Sequence, residues 1–145
     1  VLSEAESRAR YVAAAEQYSK LLNIEANTMV TMARNLYTPA ISQYSGDLAS
    51  SVATKAEIGV ASKTEKDLVA TLTQGLEDIR IAADELEEKN VAARSAEDVQ
   101  KRDDAYRDDV VPAMAKLRAA VDGMEKICAK DYWPVPSYND MLFYV

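Results

Sequence analysis

Any chemistry in this chain has to begin from carboxylates, because the residues that more often carry it are missing. The 145 residues include no histidine, which removes the commonest general base and neutral metal ligand. The Glu-x-x-His arrangement that holds metal pairs in helical bundles goes with it. No glycine-rich phosphate loop and no Cys-x-x-Cys pair occur, and a serine nucleophile would have no imidazole to activate it. What remains is clustered acids, Asp103-Asp104 and Asp108-Asp109, whose oxygens suit a hard cation. Arg102 and Arg107 interleave with them and no binding loop follows, so the pattern reads as a solvated helix face. The single cysteine, Cys128, shares an apolar face with Met124 and Ile127 and reads as an inert core thiol in a reducing compartment. One acid stands apart. Glu25 falls where the apolar count of its helix would place a core residue. It either serves a site as a buried acid or pairs with a base across helices and fixes register. The second reading is preferred, and antiparallel packing makes Lys89 and Arg94 the nearest partners. No catalytic, cofactor-binding or metal-ligating residue is identified.

The elements that would position these residues are helices. Apolar residues make up 48% of the chain, with only four glycines and four prolines, a composition that favours helix throughout. The fold expected is all-α, an antiparallel three-helix bundle over residues 1–130 with an aromatic tail at 131–145. A first helix over about 3–56 carries Tyr11, Ala15, Tyr18, Leu22, Met29, Met32, Leu36 and Ala40 in steps of three and four, interrupted at Glu25. Such a helix is ~75 Å long, and the next helix covers only ~40 Å of it, so its N-terminal part is expected to overhang. Ser3 and Glu6 form a capping box. Pro39 predicts a kink, and Gly46 marks a place where the helix could break. A turn around Gly59 leads into a second helix, about 63–90, opened by a Ser62–Glu65 capping box, with Val69, Leu72, Leu76, Ile79, Ala83 and Leu86 as its seam. A third, about 96–130, starts at Ser95 with Asp98. Its seam is Val99, Tyr106, Val110, Ala113, Leu117, Ala120, Met124 and Ile127, and Pro112-Ala113 repeats the Pro39-Ala40 pattern. Acid-before-base pairs (Glu97–Lys101, Asp98–Arg102, Asp103–Arg107, Asp122–Lys126) line its outside.

After Lys130 the composition changes. Tyr132, Trp133, Tyr138, Phe143 and Tyr144 are half of the aromatic residues in the chain, and Pro134 and Pro136 impose extended geometry. Too much apolar area lies here for a solvated tail. Trp133 is expected to insert between helices of its own bundle, and Phe143 and Tyr144 to reach another subunit. The net charge of −7 and pI near 4.7 make nucleic acid a poor partner. No run of ~18 apolar residues predicts a membrane span, and no signal segment is visible. A cytoplasmic protein is expected. The chain opens at Val1 and enters helix almost at once, which predicts a piece of something longer.

Two stretches carry a resemblance. Residues 18–49 (YSKLLNIEANTMVTMARNLYTPAISQYSGDLA), above all Ile24-Glu25-Ala26-Asn27-Thr28-Met29 with Pro39-Ala40, resemble the C-terminal helical region of type III glutamine synthetases. The tail Tyr132-Trp133-Pro134-Val135-Pro136-Ser137-Tyr138 is similar to the closing stretch of that family. The resemblance implies a parent that makes glutamine from glutamate, ammonia and ATP with Mg ions and assembles as a double-ring homo-oligomer. The catalytic strands would then lie upstream, and this region would be a non-catalytic part serving packing and assembly, its partners being that upstream portion and other subunits. None of the family's catalytic motifs matches a position here. The alternative from the residues alone is a stand-alone helical adaptor or sensor bundle that binds a protein through its aromatic tail.

Overall fold

The computed structural model describes residues 3–136 and 138–142, and over them it is all-helical. Helix α1 (Glu4–Met32) passes through a π turn (Ala33–Tyr37) into α2 (Thr38–Glu57). Helix α3 (Lys63–Arg94) follows, then α4 (Val99–Ala105), a second π turn (Tyr106–Val110) and α5 (Val111–Glu125). A 3-10 turn (Lys130–Tyr132) and short α6 (Tyr138–Leu142) complete it. Among the described residues this makes four continuous helical runs, 4–57, 63–94, 99–125 and 138–142, the first by far the longest. The last replaces part of the extended tail: prolines 134 and 136 stop a helix only locally, and α6 starts two residues beyond Pro136.

Local chemistry explains most of the boundaries. The Ser3–Glu6 capping box forms as the spacing predicts: Glu6 Oε2 accepts from the Ser3 amide at 2.9 Å, and Ser3 Oγ accepts from the Glu6 amide at 3.3 Å. Helix α2 runs on through Gly46 and ends in a Schellman motif. Gly59 takes φ +73°, its amide reaches the Ala56 carbonyl at 3.1 Å, and the Val60 amide reaches Lys55 at 2.9 Å. The second capping box does not form. The Ser62 hydroxyl is buried with no partner among the described residues, because Glu65 turns to Lys55 on the other side of the turn. Nor is Ser95 a cap: its hydroxyl donates back to Val91, helix α3 runs four residues past the expected end, and Asp98 caps α4 by accepting from the Lys101 amide at 2.9 Å.

Each internal proline is accommodated by the same device. Thr38 donates to the carbonyl of Ala33, and Val111 to that of Tyr106, so in both cases the residue just before a proline bonds five positions back. A proline ring crowds the carbonyl four positions upstream and cannot donate to it. A π turn absorbs that crowding by accommodating one extra residue. A π turn stands just before each of Pro39 and Pro112, where the sequence predicts a disturbance of the helix.

The chain divides into two compact units, one of residues up to Thr31 with Ile81–Arg118, the other of Met32–Arg80 with residues from Ala119 on. In the first unit α1 buries Ala15, Ser19, Leu22, Ala26 and Val30, α3 buries Ala82, Ala83, Leu86, Asn90 and Ala93, and the third run buries Tyr106, Val110, Ala113 and Leu117. Residues 4–11 of α1 are all exposed. In the second unit Ile41, Ser45, Leu72, Ile79, Val121 and Cys128 are buried. Gly75 sits at a buried α3 position because Met124 lies against its backbone; a Cβ there would fall on the methionine side chain. Burial raises the Cys128 pKa, in keeping with an inert thiol.

Candidate interaction surfaces

Helix α1 has two apolar faces. The buried one is Ala15, Ser19, Leu22, Ala26 and Val30. The other is Tyr11, Ala14, Tyr18, Leu21 and Ile24. Its large members stand in solvent, with Tyr18 42%, Leu21 52% and Ile24 61% exposed. Only Tyr11 among them is tied down, its hydroxyl donating to Gln100 Oε1 at 2.6 Å. The expected seam of Tyr11, Ala15, Tyr18 and Leu22 runs between these faces and takes members from both.

Glu25 belongs to the exposed face, so the buried, base-paired Glu25 expected from the sequence is corrected. The axial level was right and the rotation was not. Opposite residues 89–94 of α3 the helix presents Asn23 and Asn27, which flank Glu25 in sequence. The buried Asn90 Nδ2 donates to Asn23 Oδ1 at 3.0 Å and to Asn27 Oδ1 at 3.2 Å. At 100° per residue, two positions on from Asn23 lies on the far side of the helix. Register is thus held by amides rather than an ion pair, and the i,i+4 pairing of Asn23 with Asn27 was the sequence signal for them. Lys89 bonds Glu85 at 2.8 Å instead, and Lys116 joins the same carboxylate at 2.5 Å. These two ammonium donors hold the Glu85 pKa down to about 2. A depressed carboxylate stabilises the folded state above its ordinary pKa near 4.5, and that contribution fades as pH falls towards 2. The ladder of acid-before-base pairs is rearranged too. Arg107 takes Asp104 and Asp108, Arg102 turns to the carbonyl of Ala96, and Asp103 accepts from the Ser19 hydroxyl.

The tail forms a second surface, in the other unit. Trp133 is half-buried with its ring centroid 5.1 Å from that of Tyr37, and its indole N–H is buried without a partner among the described residues. Tyr132 lies 5.0 Å from Tyr44 and donates to Asp47 Oδ2 at 2.7 Å. Lys130 bonds Asp140 at 2.7 Å. Burial, reinforced by Glu125 and Asp122, pushes the Tyr37 phenol upward. Phe143 and Tyr144, the outermost part of the expected clamp, lie outside the described residues.

Among the described residues no group of three or more metal-ligating side chains is gathered to hold an ion, and no described helix is long and apolar enough to cross a membrane. What the geometry offers is a helical domain with outward apolar surfaces. Residues 1–56 match the glutamine synthetase C-terminal domain family. Over 99% of its length the chain is 24% identical to a glutamine synthetase of Bacteroides fragilis (strain YCH46) and 26% identical to one of Butyrivibrio fibrisolvens. It spans only about a fifth of those relatives, 20% and 21%. Together these matches make the chain similar to the C-terminal region of glutamine synthetases.

Proposed function

We propose that this chain is the non-catalytic C-terminal helical domain of a type III glutamine synthetase, acting in the cytoplasm. In this reading three antiparallel helices, closed by the aromatic tail, pack against the upstream catalytic portion of the same polypeptide and against other subunits of a homo-oligomer. ATP and Mg would belong to that upstream portion, which ligates ammonia to glutamate. The observation that carries the packing role is the outward face of α1, where Tyr18, Leu21 and Ile24 stand exposed along adjacent turns. Contiguous large apolar side chains of this kind mark surfaces that another protein covers. The type III assignment rests on the two stretches quoted above, and Ile24 and Glu25 of the first lie on this outward face.

The test is the double variant Leu21→Glu/Ile24→Glu in the full-length enzyme, sized by light scattering. A smaller assembly with helical content intact is expected, and an unchanged particle would remove the packing role. Calorimetry of the 145-residue chain with ATP and Mg should show no binding heat, since phosphoryl transfer needs placed cations and metal ligands. A micromolar affinity would overturn the non-catalytic reading.

A further inference from the structure

A cavity of about 240 Å³ opens in the first unit, lined by Glu16, Lys20 and Asn23 of α1, Arg94 at the end of α3, Arg102 of α4 and Tyr106 of the second π turn. Its charge runs against that of the chain, which has 24 acids to 17 bases. Arg94 has no carboxylate partner among the described residues. Arg102 has none either, and spends Nε and Nη2 on the Ala96 carbonyl at 3.1 and 2.7 Å, which leaves its remaining N–H groups free. Two acids stand nearby and both are engaged: Glu16 faces Lys20 at 3.8 Å, and Asp103 takes the Ser19 hydroxyl.

Besides Ser19, two further neutral side chains line the cavity. Asn23 Oδ1 already accepts from Asn27 and Asn90, so its own N–H groups remain for a ligand. Tyr106 is 1% exposed overall and lines the cavity, with Arg94 and Arg102 near enough to act on it electrostatically.

We propose that this cavity binds a small oxyanion, with Arg94 and Arg102 as its charged donors, Lys20 at the rim, and Tyr106 and Asn23 as neutral donors. A guanidinium presents paired N–H groups that match the oxygens of a phosphate or a carboxylate, and the volume admits inorganic phosphate or a short dicarboxylate. The inference is independent of the packing role, because its donors are Lys20, Asn23, Arg94, Arg102 and Tyr106 and include none of Tyr18, Leu21 or Ile24.

Isothermal titration of the full-length protein with phosphate, and separately with succinate, at low and matched ionic strength tests it. A saturable site that Arg94→Gln weakens, separate from any binding by the upstream catalytic portion, is expected for at least one of the two, and which one binds there identifies the oxyanion as phosphate or carboxylate. Removing a charged donor should weaken it about tenfold in Arg94→Gln, and removing a neutral one should weaken it about threefold in Tyr106→Phe. Arg94 is exposed, so its replacement leaves the core intact, and Lys20→Gln supplies a second surface variant should Tyr106→Phe unfold. No saturable binding of either anion, or affinities unchanged in Arg94→Gln and Lys20→Gln, would overturn the proposal.

Discussion

The two faces of α1 invert the usual relation between size and burial. Its inner face is mostly small, with Ala15, Ser19 and Ala26 around Leu22 and Val30, whereas its outer face carries Tyr11, Tyr18, Leu21 and Ile24. Small inner residues let neighbouring backbones approach closely, so shape rather than bulk makes the packing tight. The large outer residues are then surplus to the chain's own core. The comparison separates what the domain needs in order to fold from what it holds ready for a neighbour.

Adjacent leucines give the sharpest way to break that comparison. Leu22→Ala should cost ~2–5 kcal/mol by opening a cavity in the first unit, while Leu21→Ala, one residue away, should stay within about 0.5 kcal/mol. Equal losses in thermal melts of the two variants would abolish the distinction. Ala26→Leu adds bulk where the inner face is 1% exposed and should destabilise by ~1–3 kcal/mol; a gain in stability would mean the inner face is loosely packed. The smallest effect belongs to Glu25→Ala, expected within about 0.5 kcal/mol in denaturant titrations. A loss of several kcal/mol there would return Glu25 to a buried, paired role.

The legible parts of the fold were those whose signal is local or strongly periodic. The capping box at Ser3, the turn at Gly59, and the α3 seam with Leu72, Ile79, Ala83 and Leu86 buried all follow from patterns a few residues long. The rotation of α1 was not legible, because a search for large apolar residues finds two faces and averages them. Glu25 was misplaced for that reason, and Asn90 with its two α1 partners was overlooked because a buried amide has no hydropathy signature. The ends of α3 and α4 moved because serine and aspartate compete as caps, and Asp98 won over Ser95. Of the anion-binding candidates, Tyr106 was visible as a core residue. Its convergence with Arg94 and Arg102 depends on tertiary placement that no sequence spacing encodes.

The π turns have a consequence for how the chain can be edited. Before Ala33 the inner positions run 22, 26, 30, 33, and continuing in ordinary helical steps would bring 40 and 44 inward; the residues actually buried are Ile41 and Ser45. Each such turn therefore acts as a frameshift written in side chains rather than codons. Replacing Pro39 alone and letting the helix run unbroken would read every residue beyond it in the wrong frame, with Ile41 turned from its buried position, whereas deleting one residue from 33–37 as well would restore the frame. A relative that lacks the proline should carry a compensating one-residue deletion, so in this architecture a gap and a proline are exchangeable spellings of the same face.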